Sequence, residues 1–136
     1  AVVYWSGTGN TEAMAEAVAD GIREKGGEAV ILTAGEFDRS MIEDYDSIAF
    51  GCPSMGDEEL EESEFAPMFE SCEPDLAGKK IALFGSYGWG DGEWMRKWEK
   101  TCKKAGAVFA CDFVICNDAP DDDAVEKCRG LGKALV

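Results

Sequence analysis

The stretch VVYWSGTGNTE, residues 2–12, runs from an apolar segment into a turn of small and hydroxyl-bearing residues and then into a helix opening. Val2 to Trp5 suits a buried strand. TEAMAEAVADGIREK, residues 11–25, then sets Met14, Ala15, Val18 and Ile22 at helical spacing before Gly26-Gly27 ends the pattern. Between them Gly7 and Gly9 let the backbone turn tightly and approach a ligand. Ser6, Thr8 and Thr11 offer hydroxyls, Asn10 lies at the helix opening, and the helix start supplies amides without intrahelical partners. A loop of this kind holds a phosphate without any cation. Its bland alternative is an empty turn closed by a capping Thr.

The rest of the chain repeats the alternation. Strands are expected at Ala29 to Thr33, Ser47 to Gly51, Ile81 to Gly85 and Val108 to Cys116, with helices at Ser63 to Cys72, Gly92 to Ala105 and Asp123 to Leu135. A weaker helical pattern covers Phe37 to Tyr45. Strands that alternate with helices imply right-handed βαβ units and a parallel sheet covered on both faces. No repeat or linker divides the pattern, so residues 1–136 read as one domain of five strands. Ligands on such sheets bind beyond the carboxyl ends of the strands, near the point where strand order reverses. That rule selects three loops: Ser6 to Thr11, Cys52 to Leu60, and Ser86 to Asp91.

Charge narrows the partner. Thirteen basic against twenty-eight acidic side chains leave a formal net charge of -15, which repels nucleic acid and anionic membranes and favours a basic protein surface. No apolar run is long enough to cross a bilayer. The six cysteines form no CxxC and the chain has no His, so a zinc site is not expected; reduced thiols in a cytoplasmic protein are.

The second loop, CPSMGDEEL (52–60), presents Met55 as polarizable surface for a ring and Gly56-Asp57 as a turn whose peptide can reverse cheaply. Glu58-Glu59 and Glu61-Glu62 read as solvated faces. In the third loop, SYGWGD (86–91), Trp89 sits between Gly88 and Gly90 with little local packing, so it reads as a stacking surface, whereas Tyr87 is as readily a core residue. The motifs do not fit a Walker loop, which needs Lys, or a GxGxxG fingerprint, because Glu12 stands where the third Gly would be. A phosphate at one end and a large flat ring at the other describe a mononucleotide with an extended aromatic system. Flavin mononucleotide (FMN) is the economical choice. A quinone-reductase-like flavoenzyme is the competing reading, and a signalling receiver fits poorly because Trp5-Ser6-Gly7 stands where its acidic cluster belongs.

SGTGNT (6–11) after VVYW, MGDE (55–58) and GSYGWGDGEW (85–94) resemble the flavodoxins, specifically the short-chain clostridial type, over the whole length. The resemblance implies a flavodoxin-like three-layer α/β sandwich with a five-stranded parallel sheet in order 2-1-3-4-5, helices on both faces and one noncovalent FMN. By position, Ser6, Gly7, Thr8, Gly9, Asn10 and Thr11 would bind phosphate, with Ser54 and Ser86. Met55, Gly56, Asp57 and Glu58 would meet the inner side and edge of the ring; Trp89 would stack outside, and Tyr87, Gly88 and Gly90 would line its edge. Asn117 and Asp118 lie where a further loop comes near the flavin, and Pro53 stands where some relatives carry another residue. The implied function is a low-potential, monomeric one-electron carrier shuttling between semiquinone and hydroquinone. Gly56 would turn its carbonyl to stabilise the semiquinone, and no residue would act as a catalyst.

Overall fold

The computed structural model describes residues 1–136. Strands β1 (Val2–Tyr4), β2 (Ile31–Thr33), β3 (Ser47–Gly51), β4 (Lys80–Tyr87), β5 (Val108–Phe109) and β6 (Val114–Asn117) alternate with helices α1 (Asn10–Glu24), α2 (Phe65–Cys72), α3 (Glu93–Lys104) and α4 (Asp122–Ala134). All strand pairings are parallel. The order is β2-β1-β3-β4-β5, and β6 also pairs with β4. The sheet therefore has the expected 2-1-3-4-5 order, with one departure at its edge.

That departure corrects the single strand expected from Val108 to Cys116. Val108 and Phe109 pair with Lys80 and Ile81, Val114 to Asn117 pair with Phe84 to Tyr87, and residues 110–113 between them leave the ladder. Both segments fill the fifth position of the sheet. Apolar content alone marked the whole run, because a break of this kind leaves side chains such as Ala110 and Phe113 packed on the core. The pattern at Phe37 to Tyr45 likewise becomes a six-residue 3-10 helix, Arg39–Asp44, preceded by a 3-10 turn at Ala34–Glu36.

Period-two alternation along the central strands sorts their side chains to two faces. Ile48, Phe50, Ile81 and Leu83 pack with Phe65 and Phe69 of α2 and Trp94 and Trp98 of α3. Ala49, Ala82 and Phe84 pack with Met14 and Val18 of α1 and with Cys128 and Leu131 of α4. Each large side chain so buried contributes roughly 1.5–3 kcal/mol before entropy is counted. Edge-to-face contacts order the aromatic side, with Phe50 and Phe69 centroids 5.1 Å apart and Phe69 and Trp98 5.5 Å apart. On the other side α1 and α4 touch through their backbones: a Cβ built at Gly21 would lie 2.0 Å from the Arg129 carbonyl oxygen. This close crossing fixes α1, and so fixes where its N-terminus meets the end of β1.

Candidate functional site

The carboxyl ends of β1, β3 and β4 bring the three selected loops together. A cavity of about 200 Å³ is lined by Ser6, Gly7, Thr8, Asn10 and Thr11 from the first loop, by Pro53, Ser54 and Met55 from the second, and by Ser86, Tyr87 and Gly88 from the third. Trp5 and Asp118 complete its wall. Gly9, Gly56, Asp57, Glu58, Trp89 and Gly90 lie outside this cavity wall.

At the first loop the helix start is open. Helix α1 begins after Gly9, which takes φ +95, and no side chain caps it. The loop folds on itself only through Gly9 N–H donating to Ser6 Oγ at 3.1 Å and a long 3.5 Å contact from Asn10 N–H to Thr8 Oγ1. The amides of Ser6, Gly7, Thr8, Thr11 and Glu12 donate to no acceptor in the protein. Thr11 is 1% exposed, and its Oγ1 is buried without a partner. The capping-Thr alternative therefore fails: the hydroxyl that would close the turn is unused. Contrast α4, where the Asp121 carboxylate accepts from Ala124 N–H at 2.8 Å. The one charge in the motif, Glu12, accepts a hydrogen bond from the Tyr4 hydroxyl at 2.9 Å; burial, and then this carboxylate, raise the Tyr4 pKa. What remains is a set of neutral donors converging at a positive helix end, which suits an anionic oxygen cluster.

The second loop is a tight hairpin. Met55 and Glu59 exchange both backbone hydrogen bonds at 2.8 Å, and Gly56 and Glu58 both take positive φ, +53 and +56. Ser54 N–H donates to the Ser86 carbonyl at 3.0 Å, and the buried Trp94 Nε1 donates to the Cys52 carbonyl at 3.2 Å, so the hairpin is anchored to β4 and α3. Glu58 departs from its expected solvated state. Its side chain is 9% exposed, Oε1 is buried without a partner, and that oxygen would lie 2.3 Å from a Cβ built at Gly90. The side chain passes beneath the third loop, a long-range contact invisible in the local acidic pattern.

The third loop also differs in part. Ser86 and Tyr87 belong to the end of β4, not to the turn. Ser86 Oγ donates to the Asp118 carbonyl at 2.6 Å, and Asp118 N–H donates to the Tyr87 carbonyl at 2.8 Å. The Ser86 bond ties the end of β4 to the Asn117-Asp118 loop, and Ser86 stands in the cavity wall. Tyr87 is shared between core and cavity, its ring 5.5 Å from that of Trp94. Trp89 is 61% exposed and Met55 39%, leaving two large apolar surfaces uncovered on adjacent loops. Sequence reasoning had a signal for Asp118 only in the resemblance; the structure supplies the β4–β6 pairing that brings it to the wall. Asp91, in contrast, is drawn to Arg96 at 2.9 Å.

Comparison with known proteins gives the same answer from an independent direction. A family model described as flavodoxin matches residues 2–132. The chain is 45% identical to the flavodoxin of Clostridium beijerinckii, covering 99% of this chain and 97% of that one, and 42% identical to the flavodoxin of Megasphaera elsdenii, covering 99% and 96%. The solution structure of two-electron reduced Megasphaera elsdenii flavodoxin superposes with a TM-score of 0.91 over 98% of this chain and 96% of that one. With an uncapped phosphate-type loop on a 2-1-3-4-5 sheet and near-complete matches of this strength, the chain belongs to the flavodoxins, the FMN-binding electron carriers.

Proposed function

We propose that this flavodoxin is a low-potential, one-electron carrier that works between the one-electron-reduced and fully reduced states of its noncovalent FMN and delivers electrons to oxidoreductases with basic docking surfaces. The observation that carries this reading is the open α1 terminus, with its unpartnered amides and Thr11 hydroxyl, beside the uncovered Met55 and Trp89. The residues fit the cofactor at both ends. Thr11 Oγ1 and the loop amides would hold the phosphate, and Ser54 stands within the same wall. Met55 and Trp89 would flank the ring. Glu58 Oε1, an acceptor lacking a donor, would take the N–H that a flavin carries at its ring edge.

FMN, when bound, supplies the exchange of single electrons; the protein sets their energies. Gly56 is suited to this role because its φ of +53 costs glycine little and its carbonyl accepts no hydrogen bond within the protein, so no bond holds its peptide against turning that carbonyl toward a ring-edge N–H. The expected result for Gly56→Ala is a smaller gap between the two one-electron potentials, by about 40 mV for one hydrogen bond of net ~1 kcal/mol. Spectroscopic redox titration measures it, and an unchanged gap rules out this peptide as the control.

The second electron adds negative charge where Asp57 and the buried Glu58 already stand, with Asp91 offset by Arg96. That addition is unfavourable and makes the more reduced state a strong reductant. Raising ionic strength from roughly 0.01 to 1 M shortens the screening length about tenfold, so the second potential rises with salt; a flat profile removes the electrostatic explanation. The chain has no His and acts as a cytoplasmic monomeric carrier, not as a catalyst on a second substrate. No helix is long and apolar enough to cross a membrane. The same titration tests the function itself: two separated one-electron steps support it, and a single two-electron wave overturns it.

A further inference from the structure

Trp5 stands where β1 passes into the first loop. Its backbone N–H still donates to the Gly51 carbonyl at 3.0 Å, as the strand before it pairs with β3, and its half-buried side chain packs against the aromatic half of the core. From there the indole reaches the loop. A Cβ built at Gly7 would lie 3.0 Å from Trp5 Cη2 and 3.2 Å from Cζ3, so the benzo ring fills the place that a side chain at residue 7 would take. Gly7, unlike Gly9, has no left-handed φ, and its backbone conformation does not call for glycine. The contact with Trp5 does.

The loop has little else to hold it. Residues 6–8 make no backbone–backbone hydrogen bond; the nearest such ties are at its ends, from Trp5 N–H to Gly51 and from Ala13 N–H to the Gly9 carbonyl at 3.0 Å. Within it the one hydrogen bond of ordinary length runs from Gly9 N–H to Ser6 Oγ. The segment is also open on two sides, because Trp5, Ser6, Gly7 and Thr8 line both the cavity described above and a second hollow of about 540 Å³ bounded by Tyr4, Glu12, Thr33 and Glu64. Hydrogen bonding therefore does not fix the direction of the Ser6, Gly7 and Thr8 amides. Packing on the indole has to.

We propose that Trp5 is a positioning residue for the FMN phosphate: its ring is the template on which the Ser6-Gly7-Thr8 backbone is laid, so that the amides are oriented before the anion arrives, and Trp5 and Gly7 work as a matched pair. A loop whose donors are already ordered gives up less freedom on closing around an anion, which raises affinity without adding a contact. A methyl at residue 7 would collide with the ring and turn the peptides, whereas a shorter ring at residue 5 would leave them unsupported. The inference rests on the FMN reading above, since the amides act only if a phosphate comes to them.

Trp5→Phe removes the benzo half of the indole and keeps an aromatic ring against the core, and Gly7→Ala adds the methyl. Titrating each apoprotein with FMN and with riboflavin, which lacks the phosphate, reads both affinities from the quenching of flavin fluorescence. Each single variant is expected to bind FMN about tenfold more weakly, the scale of one hydrogen bond to a charged group, while riboflavin binding changes far less. In W5F/G7A the methyl enters space that the ring has left, so the double variant binds FMN no more weakly than W5F alone. Equal losses for FMN and riboflavin overturn the template, and so does a Gly7→Ala loss of the same size in both backgrounds. If W5F does not fold, Gly7→Ala answers by itself: the ³¹P resonance of its bound FMN moves from the wild-type position, and an unmoved resonance overturns the pairing. A wild type that binds no FMN fails the cofactor reading instead.

Discussion

Thr11→Val weakens FMN binding about 10- to 100-fold and leaves the empty protein at least as stable as before. The two halves of this expectation have one cause. Thr11 Oγ1 is buried and has no partner within the protein, so in the absence of phosphate it carries a desolvation cost that a methyl group of the same shape does not. With phosphate present, the same hydroxyl donates to a charged oxygen, a bond worth about 1.5–3 kcal/mol, and removing it costs that amount in affinity. Quenching of flavin fluorescence on titrating the apoprotein reads the affinity, and urea unfolding of the apoprotein reads the stability. Thr11→Ser keeps the donor and restores tight binding. A valine variant that binds as tightly as the wild type shows that the hydroxyl does not hold the phosphate; one that loses apoprotein stability shows that it has a structural partner.

Thr11 also shows what the sequence disclosed and what it could not. The spacing of small residues between Val2–Tyr4 and the α1 pattern marked a phosphate-type loop, because glycine, hydroxyl and helix start act over neighbouring positions. That β4 is covered on both faces followed from its continuous apolar run for the same local reason, whereas the strand order came only from the resemblance. Features set by distant partners were hidden. Ser86 gives no sign in the sequence of its bond to the Asp118 carbonyl, which β6 brings to it. Glu58 looks like one acid in an acidic run until the third loop folds over it. The interruption at residues 110–113 is marked only by the exposed Asp112, because its apolar neighbours Ala110, Cys111 and Phe113 remain packed.

Glu61 departs furthest from its sequence reading, and it yields the largest expected loss of stability. Read as part of a solvated pair with Glu62, it is 5% exposed. Its Oε1 accepts from the amides of Glu64 at 2.7 Å and Phe65 at 2.9 Å; its Oε2 accepts from the Ser63 amide at 2.8 Å and from the Ser63 hydroxyl. Four donors at the start of α2 are thus satisfied by one carboxylate, whose charge also faces the positive end of that helix. Burial opposes ionisation, but the Ser63 hydroxyl and the three amides outweigh it and hold the carboxyl down at about 2, against an ordinary value of 4.5. A depressed pKa means that the stabilisation is fully present above pH 4.5 and is lost as pH falls toward 2. Glu61→Gln keeps the shape but turns an NH2 toward two donors whichever way the amide is placed, so the variant loses about 3 kcal/mol at pH 7. Urea unfolding of both proteins with saturating FMN, at pH 7 and at pH 3.5, isolates the difference because cofactor binding is common to both. The gap should narrow at the lower pH, where Glu61 of the unfolded wild-type chain takes up a proton that the folded carboxylate still refuses. A gap that is equally wide at both pH values would mean that shape, and not the charge, holds the start of α2 beneath the Met55–Glu59 hairpin.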